Sequence, residues 1–406
     1  MPFTGHIDEQ VVYHHAADAL PSQEAESVLE HVKAAVDTTC KRFLKGTALI
    51  SYAGGDWDDT LQPADEALKT ELVSAWTVAL AFQVIRNLAE VTAFDPEFSA
   101  KLADMAERMK ASFHSLLIKD GVIAGFAYFK EAGAIEYMLH PQDHQTGIRY
   151  RLLPMTRSII AELVDPAQAA ANLRLIDEHL QFPDGVRLVD RPARYAGGVS
   201  TIFRRAEQGA NVGREISLQY VHAHIRYLEA AAKLGEADRA WKGLFQINPI
   251  LIQENVPNAK RRQSNMYFSS SDGEFPDRYS YHEHFDQLRT GSVEVKGGWR
   301  LYSSGPGIYL NQLISGILGI RFTADRLIMD PVLPAGLDGL HFTYQCFGCI
   351  LTFVYHIGSG PSRTPELRAE GVAVPVQSLS NPYRPGVQAL PNERCLSLRT
   401  GNCTSI

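Results

Sequence analysis

Apolar positions recur at helical spacing from about Ser22 to about Ile320, and at alternating spacing after Arg321. Over residues 22–43, Val28, Val32, Ala35, Val36 and Phe43 share one face. Glu24 and Glu26 fall in the expected first turn, where the helix dipole favours acid. This spacing predicts an amphipathic helix. Over residues 68–91, Leu72, Val73, Ala75, Trp76, Val78, Ala79, Leu80, Ala81, Phe82, Val84 and Ile85 leave almost no polar face, which predicts a helix buried on all sides. An outer amphipathic helix followed by an inner apolar one is the pattern of a toroid.

The alternation continues through residues 97–117, a segment opened by Asp165 as N-cap with Pro166 at its first position, and residues 214–234, 237–246 and 308–320. Residues 122–129 form a strand-like insert. Residues 261–298 are polar and glycine-containing and carry Tyr267, Phe268, Tyr279, Tyr281 and Phe285, as a long, packed, site-lining loop would. Beyond Arg321, residues 327–333 and 341–355 alternate like strands around the turn-forming residues 334–339, and the proline-rich end is expected to be ragged. The fold class is therefore mainly α with a small β-rich C-terminal domain, divided at 1–322 and 323–406.

Composition adds exclusions. The 406 residues are 45% hydrophobic and 21% charged, enough for a large core, and by domain size fit either two or three domains or one helical toroid with an appendage. A net charge of -7 without basic runs speaks against nucleic acid or an anionic membrane as partner, and leaves small molecules as the default. No apolar run reaches membrane-spanning length and no leader pattern opens the chain. Five cysteines, an odd count, do not form a disulfide framework, which suggests a cytoplasmic location. Cys346 and Cys349 form a CxxC inside an alternating stretch with no second ligand pair, so no metal site is expected.

Three clusters carry candidate chemistry. Gly54-Gly55-Asp56-Trp57-Asp58-Asp59-Thr60-Leu61 gathers three carboxylates around one indole. Glycosyl transfer needs a carboxylic acid to protonate the leaving oxygen, and apolar or acidic neighbours raise a carboxyl pKa toward that task. A helix-capping, Asp-rich turn explains the same residues. In Asn211–His224, Glu215 and His222 are seven apart and would share a helix face, suited to a sugar hydroxyl and an anion, or to a plain polar stripe. His222 and His224 point apart on a helix, which disfavours zinc. Gly297–Gly307 sets glycines, Ser304 and Pro306 before an apolar helix, as an anion seat or a simple cap would.

Together Asp56-Trp57-Asp58-Asp59, Arg214-Glu215 with His222, and Ser304-Gly305 resemble the inverting glycoside phosphorylases of glycoside hydrolase family 94 along nearly the whole chain. Gly54–Pro63, Gln263–Asp272 and Gly298–Gly307 are similar to its 1,2-β-oligoglucan phosphorylase branch. The resemblance implies an (α/α)6 toroid, Asp59 as general acid, and Trp57, Asp58, Arg214 and Glu215 as sugar contacts. It implies phosphate binding by His222, Ser304 and Gly305, with Ser304 keeping the hydroxyl of the family's threonine. The implied reaction is reversible phosphorolysis of a β-linked glucan to α-glucose 1-phosphate. Inorganic phosphate is the co-substrate, and no cofactor is needed.

Only 55 residues precede Asp56, whereas the family places a β-sandwich, a linker and the first barrel helices there. The expectation is thus an incomplete toroid, the C-terminal part of an enzyme, lacking the family's phosphate-binding arginine and part of its sugar wall. It would act with a missing N-terminal segment or as a homodimer. Alternatives are an (α/α) hydrolase using water, which would need a second carboxylate, and a non-catalytic carbohydrate-binding remnant.

Overall fold

The computed structural model describes residues 9–14, 21–53, 55–130, 133–195, 197, 200–207, 216–300, 304–323, 326–346, 349–358, 366–369 and 371–391. Its described part is helix-rich, with a strand-rich C-terminal region. Helix α1 (Val28–Cys40) is capped by Ser27, whose Oγ accepts the Glu30 N–H at 3.2 Å. The residues before it, expected to be helical, form the strand Pro21–Ser27 antiparallel to Gln10–His14. Glu24 and Glu26 therefore lie in a strand, and Glu30 is the acid of the first turn.

The apolar run 68–91 is not one helix. It divides into α2 (Glu66–Glu71) and α3 (Ala75–Val91) around the strand Leu72–Ser74, which pairs with Phe126–Phe129. Caps make the break: Asp65 accepts from the Leu68 N–H and Ser74 from the Thr77 N–H. Nor is α3 buried all round, since Ala75, Val78, Ala79, Phe82 and Ile85 are buried while Val84 is 48% exposed.

Helix α4 (Pro96–Leu116) is capped by Asp95, α5 (Leu152–Ile160) has no side-chain cap, and α6 (Pro166–Leu175) is capped by Asp165, as expected. Helix α7 (Val221–Leu234) is followed by α8 (Ala237–Gln246), the short α9 (Ile252–Asn255) and α10 (Arg278–Glu283). Helix α11 (Ser304–Asn311) runs on into a π-helical stretch, Gln312–Ile317. Residues 261–298 are no loop. They hold the strand Phe268–Gly273 and most of Val295–Arg300, and Tyr281, Phe285, Leu288 and Val295 share a core with Phe182, Ile252, Val256 and Ala259, while Tyr279 is exposed.

Packing arranges the helices in two rows. Helix α3 lies against α4 and α5, α5 against α6 and α7, and α7 against α8 and α11. The row α3, α5, α7, α11 thus has α4, α6 and α8 behind it. Both end helices of the row expose large apolar side chains, Val84 on α3 and Leu310, 55% exposed, on α11.

The C-terminal sheet has the order Ile320–Phe322, Arg326–Met329, Val387–Pro391, Gln377–Leu379. The hairpin Leu340–Cys346 and Cys349–Tyr355 ends with Cys346 opposite Cys349, whose side chains lie outside the described residues. Leu327, Met329, Phe353, Tyr355 and Leu390 share one hydrophobic core with Leu228 and Ala231 of α7 and Leu244 of α8. A large apolar side chain so buried contributes about 1.5–3 kcal/mol. The residues before the last strand also close the C-terminal end of α7. Arg384 donates to the Ala232 carbonyl, Asn381 to that of Lys233 and Tyr383 to that of Val164. A cation there complements the helix dipole.

Candidate active site

The acid loop is built on one buried ion pair. Arg151, at the N-cap of α5, grips the Asp56 carboxylate with both Nη groups, at 3.2 and 2.9 Å, and the two side chains are 1% and 0% exposed. Ser74 Oγ also donates to Asp56, and the Asp58 N–H donates to Asp56 Oδ1 at 3.1 Å. Asp58, itself buried, accepts from the Thr60 N–H at 3.2 Å and from Thr60 Oγ1 at 2.5 Å, and so caps the 3-10 turn Asp59–Leu61. These bonds fix the backbone on both sides of Trp57.

Two neighbours of one type therefore have opposite fates. Asp58 is 1% exposed and faces inward, whereas the Asp59 side chain is 62% exposed, with Arg205 Nη1 3.8 Å from its Oδ2. Arg205 is held there because residues 200–207 run beside the acid loop. The Ala206 N–H donates to the Thr60 carbonyl and the Arg204 N–H to that of Gln62, both at 2.9 Å.

Trp57 joins this loop to the second cluster. Its half-buried ring lies 5.0 Å from Tyr220 and 5.4 Å from His222, edge to face. His222 occupies the first turn of α7, directly after the strand Gln219–Tyr220. That strand explains why α7 does not begin at residue 214: Gln219 and Tyr220 pair with Ser271 and Ser270 instead of turning into helix. The expected pairing of Glu215 with His222 on one helix face involves a residue outside the described ones. Arg214 and Glu215 lie outside the described residues.

Two residues from His222, His224 is fully buried. Its Nδ1 accepts the Val186 N–H at 3.2 Å and its Nε2 donates to the Gly243 carbonyl at 2.9 Å, a structural role. Burial pushes both imidazoles down, each to about 4; for His222 the positive charges of Arg226 and Arg157 add to it. Both are neutral imidazoles near pH 7.

The third cluster lies beside the second because of the sheet. Gln219–Tyr220 and Val295–Arg300 both run antiparallel to Phe268–Gly273, hence parallel to each other, with Tyr220 and Gly298 level across Ser270. Each leads to a helix start, α7 at Val221 and α11 at Ser304. Two strand spacings put Tyr220 and Gly298 roughly 10 Å apart. Gly305 packs on the Tyr267 ring so closely that a Cβ there would overlap it. Tyr267 also touches the apolar cluster of Val221, Ile225 and Ile247 that receives Ile308. One ring thus spaces the two helix starts. The Ser304 side chain lies outside the described residues.

Sequence reasoning missed two arginines that position the site. Besides Arg151, the fully buried Arg187 donates to the Ser217 carbonyl at 2.9 Å and to Asp272 Oδ1 at 2.7 Å, and pairs with Asp184. It ties down the chain just before α7. Their signal was a single cation at the edge of an apolar run, Arg151-Leu152-Leu153 and Val186-Arg187-Leu188-Val189. Among the described residues no three His, Cys, Asp or Glu side chains converge as metal ligands, and no helix is long and apolar enough to cross a membrane.

A helix-built chain that sets an acidic, tryptophan-bearing loop against two helix starts has the make-up of a carbohydrate-active enzyme domain. The chain belongs to the glycosyl hydrolase 94 superfamily: its catalytic domain matches residues 6–271, and the glycoside phosphorylase C-terminal domain matches residues 319–398. A 1,2-beta-oligoglucan phosphorylase of Listeria innocua is 49% identical over 99% of this chain and 36% of its own length. An N,N'-diacetylchitobiose phosphorylase of Vibrio furnissii is 22% identical over 86% of this chain and 39% of its own length. The cyclic beta-(1,2)-glucan synthase NdvB of Rhizobium meliloti is 25% identical over 78% of this chain and 10% of its own length. The chain therefore spans well under half the length of these relatives.

Proposed function

We propose that this chain carries the catalytic acid and part of the phosphate seat of a glycoside phosphorylase acting on β-linked glucans, with β-1,2-glucooligosaccharides as substrate class. The single observation that carries the reading is the contact of Trp57 with His222, which brings the acid loop against the paired helix starts. An inverting hydrolase would need a second carboxylate to activate water. Among the described residues, the groups beside the acid loop include the neutral His222 imidazole at the start of α7 and the Arg205 guanidinium, which suit an anion that is already nucleophilic.

In the proposed step a phosphate oxygen attacks C1 of the glucosyl unit from the face opposite Asp59. The C1–O bond to the leaving sugar breaks, and the Asp59 proton passes to that oxygen. The products are α-glucose 1-phosphate and a glucan one unit shorter; in reverse, Asp59 takes the proton back. Asp59 is open to solvent, where a bound sugar would cover it. Trp57, with Arg214 and Glu215, is proposed to hold the sugar, and His222, Ser304 and Gly305 the phosphate; Asp58, expected as a sugar contact, is buried and caps the turn behind Trp57 instead. No cofactor takes part.

The finer architecture belongs to the same proposal. A row of inner helices with apolar side chains exposed at both ends fits an incomplete (α/α)6 toroid over residues 1–322, with 323–406 as the β-rich domain. A further protein segment or a second copy would complete it, in the cytoplasm.

Incubation with sophorooligosaccharides and inorganic phosphate should release α-glucose 1-phosphate. Asp59→Asn should lower the rate by about 100-fold or more, the usual scale of a lost general acid. Unchanged turnover in that variant rejects Asp59 as the acid, and phosphate-independent glucose release favours the hydrolase.

A further inference from the structure

The start of α11 is short of donors. The first N–H groups of a helix have no partner within it, but Pro306 stands in this first turn and has no N–H. A side chain from another element fills the gap. Outside α11 itself, the atoms nearest to the position of a Gly305 Cβ are Cζ, Cε1 and the hydroxyl oxygen of Tyr267. A Cα–Cβ bond in a helix tilts toward the N-terminus, so a group in the space of that Cβ lies toward the mouth of α11, where the free N–H groups point. Glycine at 305 permits this, since any side chain there would expel the hydroxyl.

The ring is held in place from two sides. Tyr267 immediately precedes the strand Phe268–Gly273, and it packs with Val221 and Ile225 of α7, Ile247 and Ile308. Val221 is the first residue of the helix that carries His222. Apolar contact thus fixes the ring, whereas the hydroxyl has no hydrogen-bond partner among the described residues. A phenol hydroxyl can donate as well as accept. Burial, with the neighbouring Tyr220 adding to it, pushes the Tyr267 phenol well above its ordinary value, so it keeps its proton near pH 7.

We propose that the Tyr267 hydroxyl is a donor of the anion seat, giving a charge-assisted hydrogen bond to an oxygen of inorganic phosphate held at the start of α11, in place of the N–H that Pro306 lacks. The proposal deepens the phosphorolysis reading and rests on it. It divides Tyr267 into two separable parts: the ring spaces the helix starts, and the hydroxyl holds the co-substrate. The proton stays on the phenol oxygen throughout, and Tyr267 makes or breaks no covalent bond.

The test compares the full wild-type chain with Tyr267→Phe, which keeps the ring and removes only the hydroxyl. Gly305→Ala, which keeps the tyrosine but takes the place of its hydroxyl, is a second variant and carries the test should Tyr267→Phe not fold. Thermal melts establish folding. Two readouts are taken: KM for phosphate against KM for sophorooligosaccharide in phosphorolysis, and binding of inorganic phosphate alone followed by 31P NMR. Tyr267→Phe should melt close to wild type and raise the phosphate KM about tenfold or more, the scale of a lost hydrogen bond to a charged group. The oligosaccharide KM should be little changed and phosphate binding weakened in parallel, with the same selectivity in Gly305→Ala. A purely spacing role makes Tyr267→Phe behave as wild type, so an unmoved phosphate KM in that variant overturns the hydroxyl and leaves the reaction standing. Both KM values rising together overturns it as well. If wild type binds phosphate, Tyr267→Phe binds it more weakly and neither releases sugar phosphate, the donor stands and the phosphorolysis reading falls. Absence of both binding and turnover in wild type overturns both.

Discussion

The acid loop and the paired helix starts face each other across Trp57 but are held by different forces. The loop depends on charge: Asp56, Arg151 and Ser74 form a hydrogen-bonded knot with almost no exposed surface. The helix starts depend on shape, with the Tyr267 ring as spacer and neutral imidazoles on α7. A charge-held region fails abruptly when one partner is lost, whereas a shape-held one yields in proportion to the volume disturbed.

The largest effect should come from breaking the knot. Arg151→Met strands a buried carboxylate and should cost about 3–5 kcal/mol in urea unfolding, and adding Asp56→Asn should return part of the loss. A loss below about 1 kcal/mol would mean that the loop is held otherwise.

Acid should act on the other side. His222 and His224 have folded pKa values below the unfolded 6.5, so the unfolded chain binds more protons between pH 6.5 and about 4. Their contribution is full above pH 6.5 and lost as pH falls toward 4, on the order of 3 kcal/mol at most for the fully buried His224. Stability measured over that range in wild type and His224→Gln should show a shallower slope in the variant. An identical slope would remove His224 from the account.

The smallest effect is steric. Gly305→Ala drives a methyl group into the Tyr267 ring and should cost about 1–3 kcal/mol, relieved when Tyr267→Leu is added. If the pair of substitutions is no better than Gly305→Ala alone, the ring is not the spacer.

What the sequence disclosed followed the range of the forces involved. Caps act within four residues, so Asp165 marked α6 correctly, and α8 falls on residues 237–246 as its spacing predicts. Helix α7 starts later than the pattern suggests because the register of Gln219–Tyr220 is set by a strand some fifty residues downstream. The supposed loop 261–298 hid its strands for the same reason, its partners being distant. The apolar run 152–160 went unassigned between stronger signals and is α5. At the site, Trp57 and His222 were both singled out from their own neighbourhoods, but their contact is a product of tertiary packing. Arg151 stood out only as a cation at the edge of an apolar run, and nothing near it in the chain announces Asp56 as its partner.

The closure of α7 by Arg384 and Asn381 has a mechanical consequence. One helix of 14 residues, about 21 Å long, carries His222 at its front and is clamped at its rear by the C-terminal sheet. Proteolytic trimming or a frameshift in the late strands would therefore be felt as slack at the imidazole, far from the injury, and the β-rich end works as a keel for the chemistry rather than as ballast.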